Sequence, residues 1–235
     1  MILYNTLMGV SAGLALILVP LLMRKLYWRI KIAPEGWAIS LGVLGVILTV
    51  LGGLMATTWP LSVNQPINIA FAEPNVMLGL LLIAASLFLW QRRELVASIG
   101  DGVKKTADEA FEYLRRVMMP VSWVVFALGL ILLACTAAIW RFTLVGSAPE
   151  AEPITGLLHD YPAAENAFFV ILYGLSALGA LVFPFALRSK GSGLRKVVGY
   201  SWAIAGVLFL LFSAMNYYTH IGLLVNLLQG KDFEF

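Results

Sequence analysis

Six apolar runs, each close to the length needed to cross a bilayer, constrain this chain more than any other feature. They fall at about 3–23, 37–57, 75–90, 121–140, 166–187 and 198–218. A helix rises 1.5 Å per residue, so about 20 residues cover the ~30 Å hydrocarbon core. The runs are continuous, with no period-two alternation, which disfavours a lipid-exposed barrel. The expected fold class is all-α: a membrane-spanning bundle of six transmembrane helices forming a single domain over residues 1–235.

Charge content supports this. Only 12% of the residues are charged and the mean hydropathy is +0.88. A soluble domain carries about 25% charged residues. Half that share cannot clothe a globule in water, so the solvent is lipid. The first run has no basic segment before it and no small-residue cleavage site after it, so it reads as a retained helix. The lone cysteine, Cys135, cannot form an intramolecular disulfide or a cysteine-based metal site.

Lys and Arg set the orientation. Arg24, Lys25, Arg29 and Lys31 follow the first run. Arg92, Arg93, Lys104, Lys105, Arg115 and Arg116 follow the third, and Arg188, Lys190, Arg195 and Lys196 the fifth. These are 14 of the 16 basic residues; only Arg141 and Lys231 fall on the other side. The positive-inside rule then places both termini outside. The net charge of +3 therefore reports topology and is no footprint for nucleic acid.

The connecting segments differ in kind. The outer loop 58–74 has three prolines and a single charge, Glu73, and is expected to lie ordered against the membrane. The outer loop 141–165 carries Glu150, Glu152, His159, Asp160 and Glu165; its 147–153 portion is expected to be flexible. Segment 94–116 reads as a cytoplasmic amphipathic helix, with Val96, Ile99, Val103, Ala107, Ala110 and Leu114 at spacings of three and four. Gly100 and Gly102 fit a break in its first turn. The helix is expected to lie on the inner headgroups or to dock a partner.

The odd runs begin near Asn5, Asn75 and Asn166 and end in basic clusters; the even runs begin near Trp37, Trp123 and Trp202. The Asn-to-Trp spacings are 32, 48 and 36 residues. This pattern fits three tandem helical hairpins. Interfacial Trp and helix-capping Asn are each common alone, so coincidence is the competing reading. Small residues at Gly9–Gly13, 52–56, 134–138 and 176–180 allow close helix approach, within the bundle or with integral-membrane partners.

The apolar runs hold no Asp, Glu, Lys, Arg or His well inside them. That argues against a proton-coupled pump or a haem held between buried histidines. The candidate polar cluster is at the outer face: Glu73, Asn75, His159, Glu165, Asn166 and His220, near Asp160, Asn216, Tyr217 and Tyr218. Carboxylates beside imidazoles can ligate a metal or move protons. The spacing matches no metal or nucleophile motif, so no catalytic, cofactor or metal residue is assigned. Glu73 and Glu165 also suit helix N-termini, where the free N–H groups and the dipole favour a carboxylate.

The Thr58-Trp59-Pro60 and Phe71-Ala72-Glu73-Pro74-Asn75 stretches, after a helix opening Tyr4-Asn5-Thr6-Leu7-Met8, resemble an uncharacterised family of prokaryotic polytopic integral membrane proteins. The resemblance covers most of the chain. It implies a prokaryotic inner membrane and carries no activity. Two functions are expected. One is a non-catalytic accessory subunit of a larger membrane complex, such as a respiratory electron-transfer assembly, with membrane lipids and other membrane proteins as partners. The other is a small transporter, channel or membrane enzyme using the outward Glu/Asn/His cluster.

Overall fold

The computed structural model describes residues 4–62, 64–146, 148–189 and 191–229. Leu3, Ser147, Lys190 and Lys231, which entered the reading above, lie outside them. The described residues are helical apart from short connections, with no strand among them. The elements are α1 (Tyr4–Tyr27), α2 (Pro34–Thr58), α3 (Pro66–Gln91), α4 (Arg93–Ser98), α5 (Lys104–Phe142), α6 (Pro162–Arg188) and α7 (Gly193–Leu228). A 3-10 turn, Thr155–Leu158, interrupts the link between α5 and α6. All but α4 are long and apolar enough to cross a membrane.

Proline starts three of the helices. Pro34, Pro66 and Pro162 sit in the first turns of α2, α3 and α6. The missing N–H costs nothing there, and the fixed φ is already helical. α2 ends at Trp59 and α5 at Thr143, both in left-handed conformation with the amide closing back four residues. Arg29, also left-handed, ends the turn after α1.

The third spanning helix starts nine residues before the expected position. Phe71-Ala72-Glu73-Pro74-Asn75 is helical interior, so Glu73 and Asn75 cap nothing. The loop expected over 58–74 shrinks to the residues between α2 and α3. Pro74 lacks the N–H that would bond the Ala70 carbonyl. Tyr173 of α6 supplies the replacement: its hydroxyl donates to the Ala70 oxygen at 2.9 Å. The Ala70 carbonyl is thereby satisfied from another helix.

The amphipathic segment is interrupted at the glycines expected to break it. It breaks after α4, where Gly102 takes φ +82°, and resumes as the first turns of α5. A Cβ on Gly100 would stand 2.5 Å from the Lys31 Cα, so only glycine fits the corner. Val96, Ile99, Ala107 and Ala110 are buried against the bundle, so most of the stripe is satisfied within the chain rather than by headgroups. Ion pairs brace this end: Arg29 with Asp108, Lys31 with Asp101 and Arg93 with Glu35. All of these side chains are about half exposed or more, so each pair contributes ~1 kcal/mol or less.

Helices pack as a ring. The tightest pairs are α2 with α3, α5 with α6, and α1 with α7. These pairs meet across the loops and termini of the end opposite the basic clusters. The tandem hairpins expected above share the basic-end connections instead, and their helices meet less closely. Crossings are set by glycine: Gly45 faces Gly79, and Gly13 faces Gly206. A Cβ at any of these four would lie within 3 Å of backbone in the partner helix. Gly9 joins Gly13 against α7, and Gly52 faces α3. Ala134 of α5, by contrast, is exposed.

Candidate functional site: a polar cavity at the terminal end

The end of the bundle carrying both termini holds a cavity of ≈ 140 Å³. Six segments converge on it: α1, the α2–α3 link, α3, the α5–α6 link, α6 and α7. Its position follows from helix length. About 20 residues beyond Lys196, α7 reaches Asn216, having covered the hydrocarbon thickness. The remaining turns, through Leu228, project past it and form one wall.

The α5–α6 link packs on that projection. The Asn226 amide donates to the Ala151 carbonyl at 2.6 Å, and Pro153 stacks on Gly222, where no side chain fits. The Glu152 amide closes a turn onto Pro149, and the Glu152 side chain is only 8% exposed. The 147–153 portion, expected to be flexible, is a folded turn wherever it is described. A buried carboxylate needs a partner. Here it is His220, whose Nε2 lies 3.4 Å from Glu152 Oε1 while Nδ1 meets the Thr6 hydroxyl at 2.9 Å. A neutral ring protonated on Nε2 donates to Glu152 and accepts from Thr6; a charged ring donates to both. α1, α7 and the link are joined through one imidazole.

Of the six candidate residues, Glu165 and His220 both line the cavity. Glu165, in the first turn of α6, accepts from the Ala148 amide at 3.4 Å. His159 and Asn166 brace the link: His159 Nδ1 lies 3.0 Å from the Ala148 carbonyl oxygen, and Asn166 Oδ1 accepts from the Val145 amide at 3.2 Å. Glu73 is exposed on α3 and does not line the cavity. Asn75 donates to the Phe71 carbonyl within its own helix. The site partner of Glu165 and His220 is thus Glu152. Nothing in its spacing singles it out, because its neighbours are assembled from α7, over sixty residues away.

The lining has two chemical halves. Asn5, Glu152, Thr155, Glu165, Asn216 and His220 are polar. Phe71, Phe169 and Phe212 form an apolar wall, with ring centroids 5.8 Å apart for the first two and 5.3 Å for the last two. No Lys or Arg among the described residues lines it. Asn5 Oδ1 and Asn216 Oδ1 are buried and accept no hydrogen bond from the described residues. No group of three or more His, Cys, Asp or Glu able to hold a metal occurs among the described residues.

Six apolar helices around a polar, acid-lined cavity at one end define a multi-pass membrane protein. The chain belongs to the DUF981 family, described as proteins of unknown function, whose sequence profile matches residues 1–222. That span takes in every residue lining the cavity. No curated protein and no solved structure matches the chain.

Proposed function

We propose that this protein binds a small ligand in the terminal-end cavity, at the outer face of a prokaryotic cell membrane. The observation that carries the reading is a ≈ 140 Å³ cavity that sets Glu152, Glu165 and His220 beside the apolar surfaces of Phe71, Phe169 and Phe212. A concave site with an apolar wall and a few polar groups is the form that small-molecule sites take. A thermal-shift screen of the purified chain in detergent, using neutral, cationic and anionic fragments, tests this. Some fragments are expected to stabilise the wild type but not the cavity-filling variants Ala148→Leu and Val145→Phe. A screen in which none stabilises the wild type overturns the reading.

A second reading, as an accessory subunit of a larger membrane assembly, is favoured by α5. The most apolar window of its span is 17% buried, against 28–50% in the other five, and Trp123, Leu130, Leu133 and Trp140 are exposed. Native membranes supply the check. An impermeant thiol reagent should reach a cysteine placed at Gln229 from outside the cell but not one placed at Gly199. Gentle solubilisation should yield a species larger than the 25.7 kDa chain in its detergent belt. Reversed labelling refutes the orientation, and migration as a free chain refutes the subunit reading.

A further inference from the structure

We infer that a second copy of this chain covers the outward face of α7, in a twofold pair whose axis runs along the membrane normal. The inference does not rest on the binding reading, because this face points away from the cavity.

From Tyr200 to Leu228, every residue of α7 reached by alternating steps of four and three is uncharged and exposed, Ile204, Leu211, Ile221 and Val225 among them. Alternating steps of four and three present one seam for side-by-side helix packing, and the seam here runs for four heptads. At 3.6 residues per turn it lies about half a turn from the cavity residues Phe212, Asn216 and His220.

Length shows that lipid cannot cover all of it. α7 leaves the hydrocarbon near Asn216, and the turns from there to Leu228 rise ~18 Å. The headgroup layer adds only about 6 Å on each side of the core. Ile221, 61% exposed, stands near the edge of that layer, and Val225 and Leu228, 46% and 89% exposed, stand beyond it. In a lone chain these side chains face water, and a contiguous apolar patch in water marks a protein contact.

Symmetry selects the partner. Basic residues gathered at one end insert every copy the same way. A twofold axis along the membrane normal then sets two α7 helices parallel, with each seam position opposite its own counterpart. The seam carries no charge, so like meets like without repulsion. Ala214, at its middle, lets the helices approach closely. Covering about half of the exposed seam on both copies buries on the order of 1,000 Å², which reaches the size of a specific interface.

Disulfide cross-linking in native membranes tests this, with the full chain carrying Cys135→Ser to remove its one cysteine. On oxidation, Val225→Cys and Leu228→Cys should each yield linked pairs of this chain, about fivefold or more above Leu157→Cys. Leu157 is 81% exposed in the α5–α6 link at the same end, so it reports random collision. Native mass spectrometry in detergent should find two chains in the unmodified protein. The double variant Ile221→Glu/Val225→Glu should give a single chain with unchanged helix content. Linkage at Val225 and Leu228 no stronger than at Leu157 overturns the inference, as does a double variant that stays paired. Linkage to a different protein also overturns it, and supports the subunit reading instead.

Discussion

Gly13→Val should leave little folded protein. A Cβ at Gly13 would stand 2.5 Å from the Leu210 amide nitrogen, 2.8 Å from the Gly206 oxygen and 3.0 Å from the Leu210 Cα. All three are backbone atoms of α7, so no rotamer change relieves the clash. The two helices must separate, and α1 with α7 is the contact that closes the ring between the chain's ends. One surplus methylene in a packed core costs ~1–3 kcal/mol. Valine adds three carbons at a helix crossing, so a loss above ~3 kcal/mol is expected. Unfolding in mixed detergent followed by circular dichroism measures it. Gly53→Ala is the control: nothing lies within 4 Å of its Cβ position, and the change should stay within ~0.5 kcal/mol. Equal losses from both substitutions would refute the crossing argument.

Asn68→Leu is expected to be nearly as damaging, for a different reason. Asn68 is fully buried at the start of α3. Its Oδ1 accepts from the Leu61 amide at 3.1 Å, and its Nδ2 donates to the Leu61 and Gln65 carbonyls at 3.0 Å each. One side chain therefore satisfies three backbone groups of the link between α2 and α3. Leucine keeps the volume but strands the Leu61 amide and carbonyl, at ~1–3 kcal/mol for each group left buried, while the Gln65 carbonyl keeps its bond from the residue 68 amide. A destabilisation of ~2 kcal/mol or more is expected, together with faster hydrogen exchange at the Leu61 amide. Leu61 lines the cavity, so ligand stabilisation should fall as well. Unchanged exchange at Leu61 would show that Asn68 does not hold the link.

Asn68 illustrates what remained illegible in the chain. As one polar residue in a proline-rich connection it resembles any solvated asparagine. Its value comes from full burial and from the two carbonyls and one amide placed around it. Glu152 is similar: it looks like part of a flexible acidic loop until α7 projects far enough to bring His220 and Asn226 to that loop. Glu165 and His220 were recognisable because both lie at the ends of apolar runs, where position relative to the membrane can be counted. Glu73 satisfied the same count and proved peripheral, because counting gives depth but not the direction a helix faces.

The amino-acid sequence alone determined the number of apolar spans and that their basic residues gather at one common end. Both are one-dimensional consequences of solvent: lipid demands about 20 apolar residues per crossing and leaves charge at the margins. Tertiary structure decided where α3 begins, which helices pair and what surrounds the cavity. Pro74 read locally as a helix start, since a proline inside a helix strands a carbonyl. The Tyr173 hydroxyl, from a helix nearly a hundred residues later, takes that carbonyl and lets α3 run through it. Pairing followed glycine against glycine across α1 and α7, a complementarity between surfaces that neither stretch reveals alone. The cavity likewise exists only where six separate segments meet, so its chemistry belongs to the fold.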